Sequence, residues 1–347
     1  MTRRIAIFLL LPCLVSGTAL AGLDEGRAAL EREDYVTALT ELRPFADQGN
    51  AAAQSMIGEM YLNGYGTAPD DQMALQWFRK AATNGFAIAQ NNLGAMYMSG
   101  RGVVRDETLA VEWFRKAARQ GYAVAEYNLG FIYSKGQGGL PQDDSQAVEW
   151  FRKSAEHAYS VAQNALGNMY LDGRGVPKDE KLAVDWYLIA AEQGYAGAQY
   201  NLGKSYLDGR GVPRNNERAL AWYLKAAAQG YADAQNSIAF MYQVGIGVPQ
   251  DSRHAIEWYR KAAEQGLADA QNNLGYMFQQ GRGVPRDDVQ AYVLFSLAAA
   301  SGDKRAANNR SNIVPRLSAA QIEHASQLAR TWKPGMPLPT HGEIVSK

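Results

Sequence analysis

Ser301 and Lys304 stand three residues apart in Ser301-Gly302-Asp303-Lys304, the S-x-x-K spacing of the serine nucleophile in penicillin-recognising enzymes. That chemistry needs S-D-N and K-T-G companions, and the chain contains neither. The four residues read as a turn at a helix end. Gly203-Lys204-Ser205 ends like a phosphate-binding loop, but Ala198 stands where the leading glycine belongs, and the segment falls mid-helix rather than after a strand. His157, His254, His324 and His341 never pair at metal-ligand spacing, so each reads as a surface or turn residue. The many Asp and Glu raise the chemistry of paired carboxylates in glycoside hydrolysis, yet nearly all fall at cap positions or on polar helix faces. Arg101, Arg174, Arg210 and Arg282, the arginines of G-R-G, form either a basic row for an acidic ligand or plain solvated loop charges, and the second reading is preferred. No catalytic residue, metal or cofactor is assigned, and the chain reads as non-enzymatic.

The chain has 347 residues, of which 47% are hydrophobic, enough for a folded core. Arg3 and Arg4, the apolar run Ile5 to Val15 and the small-x-small Ala19-Leu20-Ala21 form the pattern of a cleaved signal peptide over residues 1–21. The run is too short to span a bilayer, so no transmembrane anchor is expected in the mature chain, and an exported protein, periplasmic or secreted, is. Cys13, the only cysteine, lies inside that run, which leaves no disulfide framework and no thiolate metal site. Without Arg3 and Arg4 the chain has 33 basic against 35 acidic side chains, so no positive field draws nucleic acid or an anionic membrane.

The elements are set by a repeat. Gly58, Gly94, Gly130, Gly167, Gly203, Ala239 and Gly275 recur every 36 residues, with one step of 37. An aromatic follows each at +3 (Tyr61, Tyr97, Tyr133, Tyr170, Tyr206, Tyr242, Phe278), and Trp77, Trp113, Trp150, Trp186, Trp222 and Trp258 share one register. Ala, Leu and Tyr three or four apart predict a first helix, which a G-x-G turn ends. Asp70, Asp106, Asp143, Asp179, Asn215, Asp251 and Asp287 are expected to cap an amphipathic second helix such as Ala-Val-Glu-Trp-Phe-Arg-Lys-Ala-Ala. A helical glycine costs about 1 kcal/mol against alanine, so its recurrence predicts a bulky neighbour, and the recurrent tryptophan is the candidate.

The patterns A-x-x-x-L-G-x-x-Y-x-x-G-x-G-V and A-x-x-W-[FY]-x-x-A-A-x-x-G resemble the Sel1-like repeat family, a relative of the tetratricopeptide repeats. The resemblance implies an all-α, right-handed α-solenoid of antiparallel helix pairs acting as an adaptor for other proteins. The expected organisation is an N-terminal capping unit over 22–50, seven repeats over 51–316, a terminal helix over 317–332 opened by a Ser318–Gln321 capping box, and a mobile Pro-rich tail over 333–347.

Positions that drift between units mark a partner-binding face. Three residues before the anchor stand Asn91, Tyr127, Asn164, Tyr200, Asn236 and Asn272; one residue after it stand Phe131, Asn168, Lys204, Phe240 and Tyr276. The two positions are four apart and share one face of each first helix. In the superhelix that the resemblance implies, this face lines a concave groove, where aromatic side chains serve as anchors and asparagines meet an extended peptide backbone. The alternative for these side chains is packing between repeats. Two other functions fit the same pattern: an enzyme acting on cell-wall material or β-lactams, and a secreted factor acting on a host protein.

Overall fold

The computed structural model describes residues 17–340, and every regular element among them is a helix. The signal-type run Ile5 to Val15 and residues 341–347 lie outside the described residues. Before the repeats come α1 (Gly17–Glu31) and α2 (Tyr35–Asp47). Four repeat pairs follow as α3 (Ala51–Asn63) with α4 (Asp71–Thr83), α5 (Ala87–Ser99) with α6 (Glu107–Ala118), α7 (Ala123–Lys135) with α8 (Asp144–Glu156), and α9 (Ser160–Asp172) with α10 (Glu180–Glu192). Three more are α11 (Ala196–Asp208) with α12 (Asn216–Ala228), α13 (Ala232–Val244) with α14 (Ser252–Glu264), and α15 (Ala268–Gln280) with α16 (Asp288–Ala300). The chain closes with α17 (Lys304–Ile313), a 3-10 turn (Val314–Arg316) and α18 (Ala319–Thr331). It divides after Ala158 into two compact units, and within each unit consecutive helices pack side by side as a stacked α-solenoid.

The local signals act as their chemistry requires. The first helices end on glycines with φ of 64° to 78°, the left-handed conformation that needs no Cβ. Each of the seven predicted cap residues accepts from backbone N–H groups of the second helix, as Asp179 does from Leu182 at 2.9 Å. The second glycine of the turn has a further reason: a Cβ on Gly283 would stand 2.8 Å from the Ser252 carbonyl oxygen of the preceding repeat.

The expected partner of the anchor glycine is displaced by one residue. A Cβ on Gly58, Gly94, Gly130, Gly167, Gly203 or Gly275 would strike the ring of Phe78, Phe114, Phe151, Tyr187, Tyr223 or Phe295, the residue after the tryptophan position. Neighbouring helix positions point about 100° apart, so only one of the two aromatics can face its own repeat. The tryptophans face backwards instead. Trp113, Trp150, Trp222 and Trp258 pack on cores that contain the second helix of the preceding repeat. Lys116, Lys153, Lys225 and Lys261 cover their outer faces at 3.8 to 4.3 Å from the ring centre.

A glutamine relay joins the repeats as well. Gln90 donates to the carbonyl of Ala82 at the end of α4, and Gln120, just past α6, donates to Gln90 at 2.8 Å. Gln193–Gln163, Gln229–Gln199 and Gln265–Gln235 repeat that pair. In the third repeat, His157 and the buried Glu126 take its place at 2.8 Å.

At the N-terminal end, Gly26 lets α1 close on Leu42 of α2. At the C-terminal end the Ser318–Gln321 capping box forms. Residues 333–340, expected to be mobile, instead lie along α14 and α16. The Gly335 N–H donates to the Glu264 carbonyl at 2.7 Å, Gln290 donates to the Pro339 carbonyl at 2.8 Å, and Leu338 is buried.

Candidate partner-binding face

The two drifting positions of the first helices separate into different roles. The asparagines three residues before the anchor are tied to the next first helix. Asn128 donates to Asn91 at 2.9 Å in the first unit; Asn201 donates to Asn164 at 2.8 Å, Asn273 to Asn236 at 3.2 Å and Asn309 to Asn272 at 2.9 Å in the second. Asn91 and Asn272 are buried. The alternative of packing between repeats therefore describes what these four amides do in the fold: their carbonyl oxygens are engaged and their bulk spans neighbouring helices.

The tyrosines at the same position turn inward. Tyr127 lies 5.6 Å from the ring of Phe151, and Tyr200 lies 5.6 Å from Tyr223 and 5.3 Å from Tyr231. Burial, with the charge of Asp233 adding to it, holds the Tyr200 phenol above its ordinary pKa, so it stays protonated at neutral pH.

The position after the anchor behaves differently. Phe131, Phe240 and Tyr276 are 42%, 45% and 36% exposed, large for rings that fill no core. Lys135 reaches over Phe131 and Arg282 over Tyr276. Asn168 and Lys204 are exposed and line a hollow of about 180 Å³ beside Tyr187, Asn201, Asp172 and Asp208. Tyr187 reaches it from α10 and donates its hydroxyl to Asn168 at 2.6 Å. Burial, and the charge of Asp172 after it, pushes that phenol's pKa far up, so the hydroxyl stays neutral and able to donate. In the first repeat the equivalent position holds Glu59, which accepts from Asn92 at 3.2 Å and whose carboxyl is pushed up by burial.

The donor asparagines Asn128, Asn201, Asn273 and Asn309 were not singled out by sequence reasoning. A signal existed: each asparagine three before an anchor has another asparagine 37 residues later, whereas Tyr200 has Ser237 there. A packed partner at a constant offset was thus visible in the repeat itself.

The other motifs resolve locally. Ser301 is the C-cap of α16 and Lys304 begins α17, both exposed. Lys204 sits inside α11. His254 bonds its own cap Asp251, His324 is half-buried in α18, and His341 lies outside the described residues. Arg101 is paired with Asp71 at 2.6 Å. Among the described residues no group of three His, Cys, Asp or Glu gathers as a metal site, and no helix is long and apolar enough to cross a membrane.

Seven consecutive stretches, residues 51–86, 87–122, 123–159, 160–195, 196–231, 232–267 and 268–303, match the Sel1 repeat. A Sel1 repeat protein from Oxalobacter formigenes is similar in structure, with a TM-score of 0.64 and 35% identity over 72% of this chain and 97% of that one. So is c5321, a protective antigen present in uropathogenic Escherichia coli strains displaying an SLR fold, with a TM-score of 0.53 and 28% identity over 90% of this chain and 91% of that one. No curated protein matches the chain.

Proposed function

The chain belongs to the Sel1 repeat family, and on that premise we propose that it is an exported, non-enzymatic scaffold that holds a protein or peptide partner against the exposed face of its first helices. Sel1 solenoids are typically scaffolds for protein interactions. The observation that carries the proposal is the exposure of Phe131, Phe240 and Tyr276. The rings that pack on the anchor glycines, from Phe78 to Phe295, are buried, while these three contribute little to the core, and exposed aromatics of this kind are the usual anchors of an interface. Asn168 and Lys204 add polar contacts from the hollow beside Tyr187. The asparagines Asn91 in the first unit and Asn164, Asn236 and Asn272 in the second tie neighbouring helices together, while Tyr127 and Tyr200 pack within their own repeats.

Export rests on residues 1–21. Cleavage after Ala21 removes the start of α1, Gly17 to Ala21, and leaves Gly22 and Gly26, the two α1 residues that approach Phe45 and Leu42. N-terminal sequencing of the protein from fractionated cells should begin at Gly22; an intact Met1 in the cytoplasmic fraction rejects export.

The binding test is the double variant Phe131→Ser/Phe240→Ser, compared with the parent in pull-downs from envelope extract and then by calorimetry with the recovered partner. Helix content and Tm should stay close to the parent, while affinity falls by about 2 kcal/mol or more. Unfolding of the double variant shows that the rings are structural; unchanged binding moves the partner to another face.

A further inference from the structure

The last second helix differs from the earlier ones on its outer side. α16 has Ser296 and Ala300 where α14 has Arg260 and Glu264. α18 packs on α16, so these positions, exposed or half-buried in α14, are covered at Ser296. Ser296, Ala300 and Ala329 of α18 are all too small to fill the space between the helices. A hollow of about 220 Å³ remains, lined by these three with Ser326, Arg310 of α17 and Arg330 of α18. The hollow opens to solvent on the side of Ala300 and Arg330, which are exposed, and has room for several water molecules or a small solute.

Its polar lining is unbalanced in one direction. The Ser296 hydroxyl has no hydrogen-bond partner although the residue is only 8% exposed, an arrangement that costs free energy unless something else accepts from it. Arg310 pairs with no carboxylate among the described residues. Arg330 holds Glu323 at 3.0 Å, but Glu323 is itself 77% exposed and lines no part of the hollow. The Ser326 hydroxyl is 3.5 Å from the Tyr292 hydroxyl. Two guanidiniums and two hydroxyls thus line an open hollow whose lining includes no acid.

We propose that this hollow binds a small oxyanion, the phosphate or carboxylate group of a compact solute. Arg310 and Arg330 supply paired N–H donors in the planar fork that suits such groups, and Ser296 donates its free hydroxyl. The volume leaves space for a short carbon body beside the alanines. A ligand there touches α16, α17 and α18 together, so it fastens the helices that close the C-terminal end of the array, and its binding registers as added stability. The site lies apart from the first-helix face and does not depend on the scaffold reading.

Titration of the full chain with inorganic phosphate and, separately, with succinate tests the proposal, using sodium chloride of matched ionic strength as the control. One or both anions should bind saturably and raise Tm above the chloride control; phosphate alone identifies a phosphate site and succinate alone a carboxylate site. Arg310→Ala should weaken binding roughly tenfold or more, and Ser296→Ala severalfold, with helix content retained. Should Arg310→Ala fail to fold, Arg310→Lys keeps the charge but loses the fork and should still bind several times more weakly. Absence of any effect of both anions beyond chloride overturns the proposal. So does binding by folded Arg310 and Ser296 variants that equals the parent's.

Discussion

Tyr187 lies so close to the backbone of Gly167 that a Cβ there would stand 2.6 Å from its ring, and its hydroxyl continues past the glycine to Asn168 at 2.6 Å. One residue thus fills the core of its repeat and reaches the exposed face. Tyr187→Ala should cost about 3–5 kcal/mol, the range for deleting a buried aromatic. Gly167→Ala should cost about 1–3 kcal/mol by overpacking. Trp186→Ala, at a half-buried ring, should cost less than Tyr187→Ala. Urea melts of the three variants check the order, and a larger loss at Trp186 would return the tryptophan to the central role that the sequence first suggested.

Gly211 has a positive φ and sits against the Glu180 carbonyl of the preceding repeat. Both constraints exclude a side chain. Gly211→Ala should destabilise the second unit by about 2 kcal/mol or more, because strain in the turn adds to a clash with backbone that cannot rotate away. Hydrogen exchange should show the loss concentrated in α10 to α12; a change below about 0.5 kcal/mol would mean that the turn relaxes freely.

The Asn164–Asn201 bond is a test of coupling between repeats. Asn201→Ala leaves the Asn164 oxygen without this donor, and the loss should be about 1–2 kcal/mol. In a double-mutant cycle the pair should show a coupling of about 0.5–1.5 kcal/mol, since removing both partners leaves no unmatched group. Additive single changes would assign the effect to packing rather than to the hydrogen bond.

Asp251 caps α14 through the N–H groups of Arg253 and His254 and meets the His254 ring at 2.7 Å. The hydrogen bond to Asp251, then its charge, raises the His254 pKa, and the bonds from His254 lower that of Asp251. The histidine contribution is complete below the ordinary histidine pKa and lost as pH rises through the raised folded value. The aspartate contribution is present above the ordinary carboxylate pKa and lost as pH falls through the lowered folded value. Amide exchange in α14 should therefore be best protected between those limits, and His254→Gln should flatten its upper edge, which follows the raised histidine pKa. An unchanged profile would remove the pair from the helix's pH response.

Much of the architecture was legible because it is local. A glycine at positive φ, an aspartate before an amphipathic run and a 36-residue register act through the nearest turns of the backbone, so the helices, their caps and the Ser318 box follow from neighbouring residues. Drift between units marked Phe131, Phe240 and Tyr276, which are exposed, but equally Asn91 and Asn272, which are buried, so drift alone did not separate the exposed position from the packed one.

Other features depend on the neighbouring helix. Trp222 and Tyr223 are adjacent and both aromatic, and only the approach of the neighbouring helices decides that Tyr223 meets Gly203 while Trp222 packs on the core of the preceding second helix. Asn164 and Asn236 look like peptide-binding amides until the next first helix places an asparagine against each. The tail's prolines suggest freedom, yet Gln290 and the open carbonyl of Glu264 hold it. The hollow at Ser296 exists only because α18 covers small residues on α16. In each case the sequence by itself determined the repeat, its turns and the supply of side chains, and the tertiary structure decided which of them face each other, since that depends on helix approach across 30 or more residues rather than on the turn that each side chain belongs to.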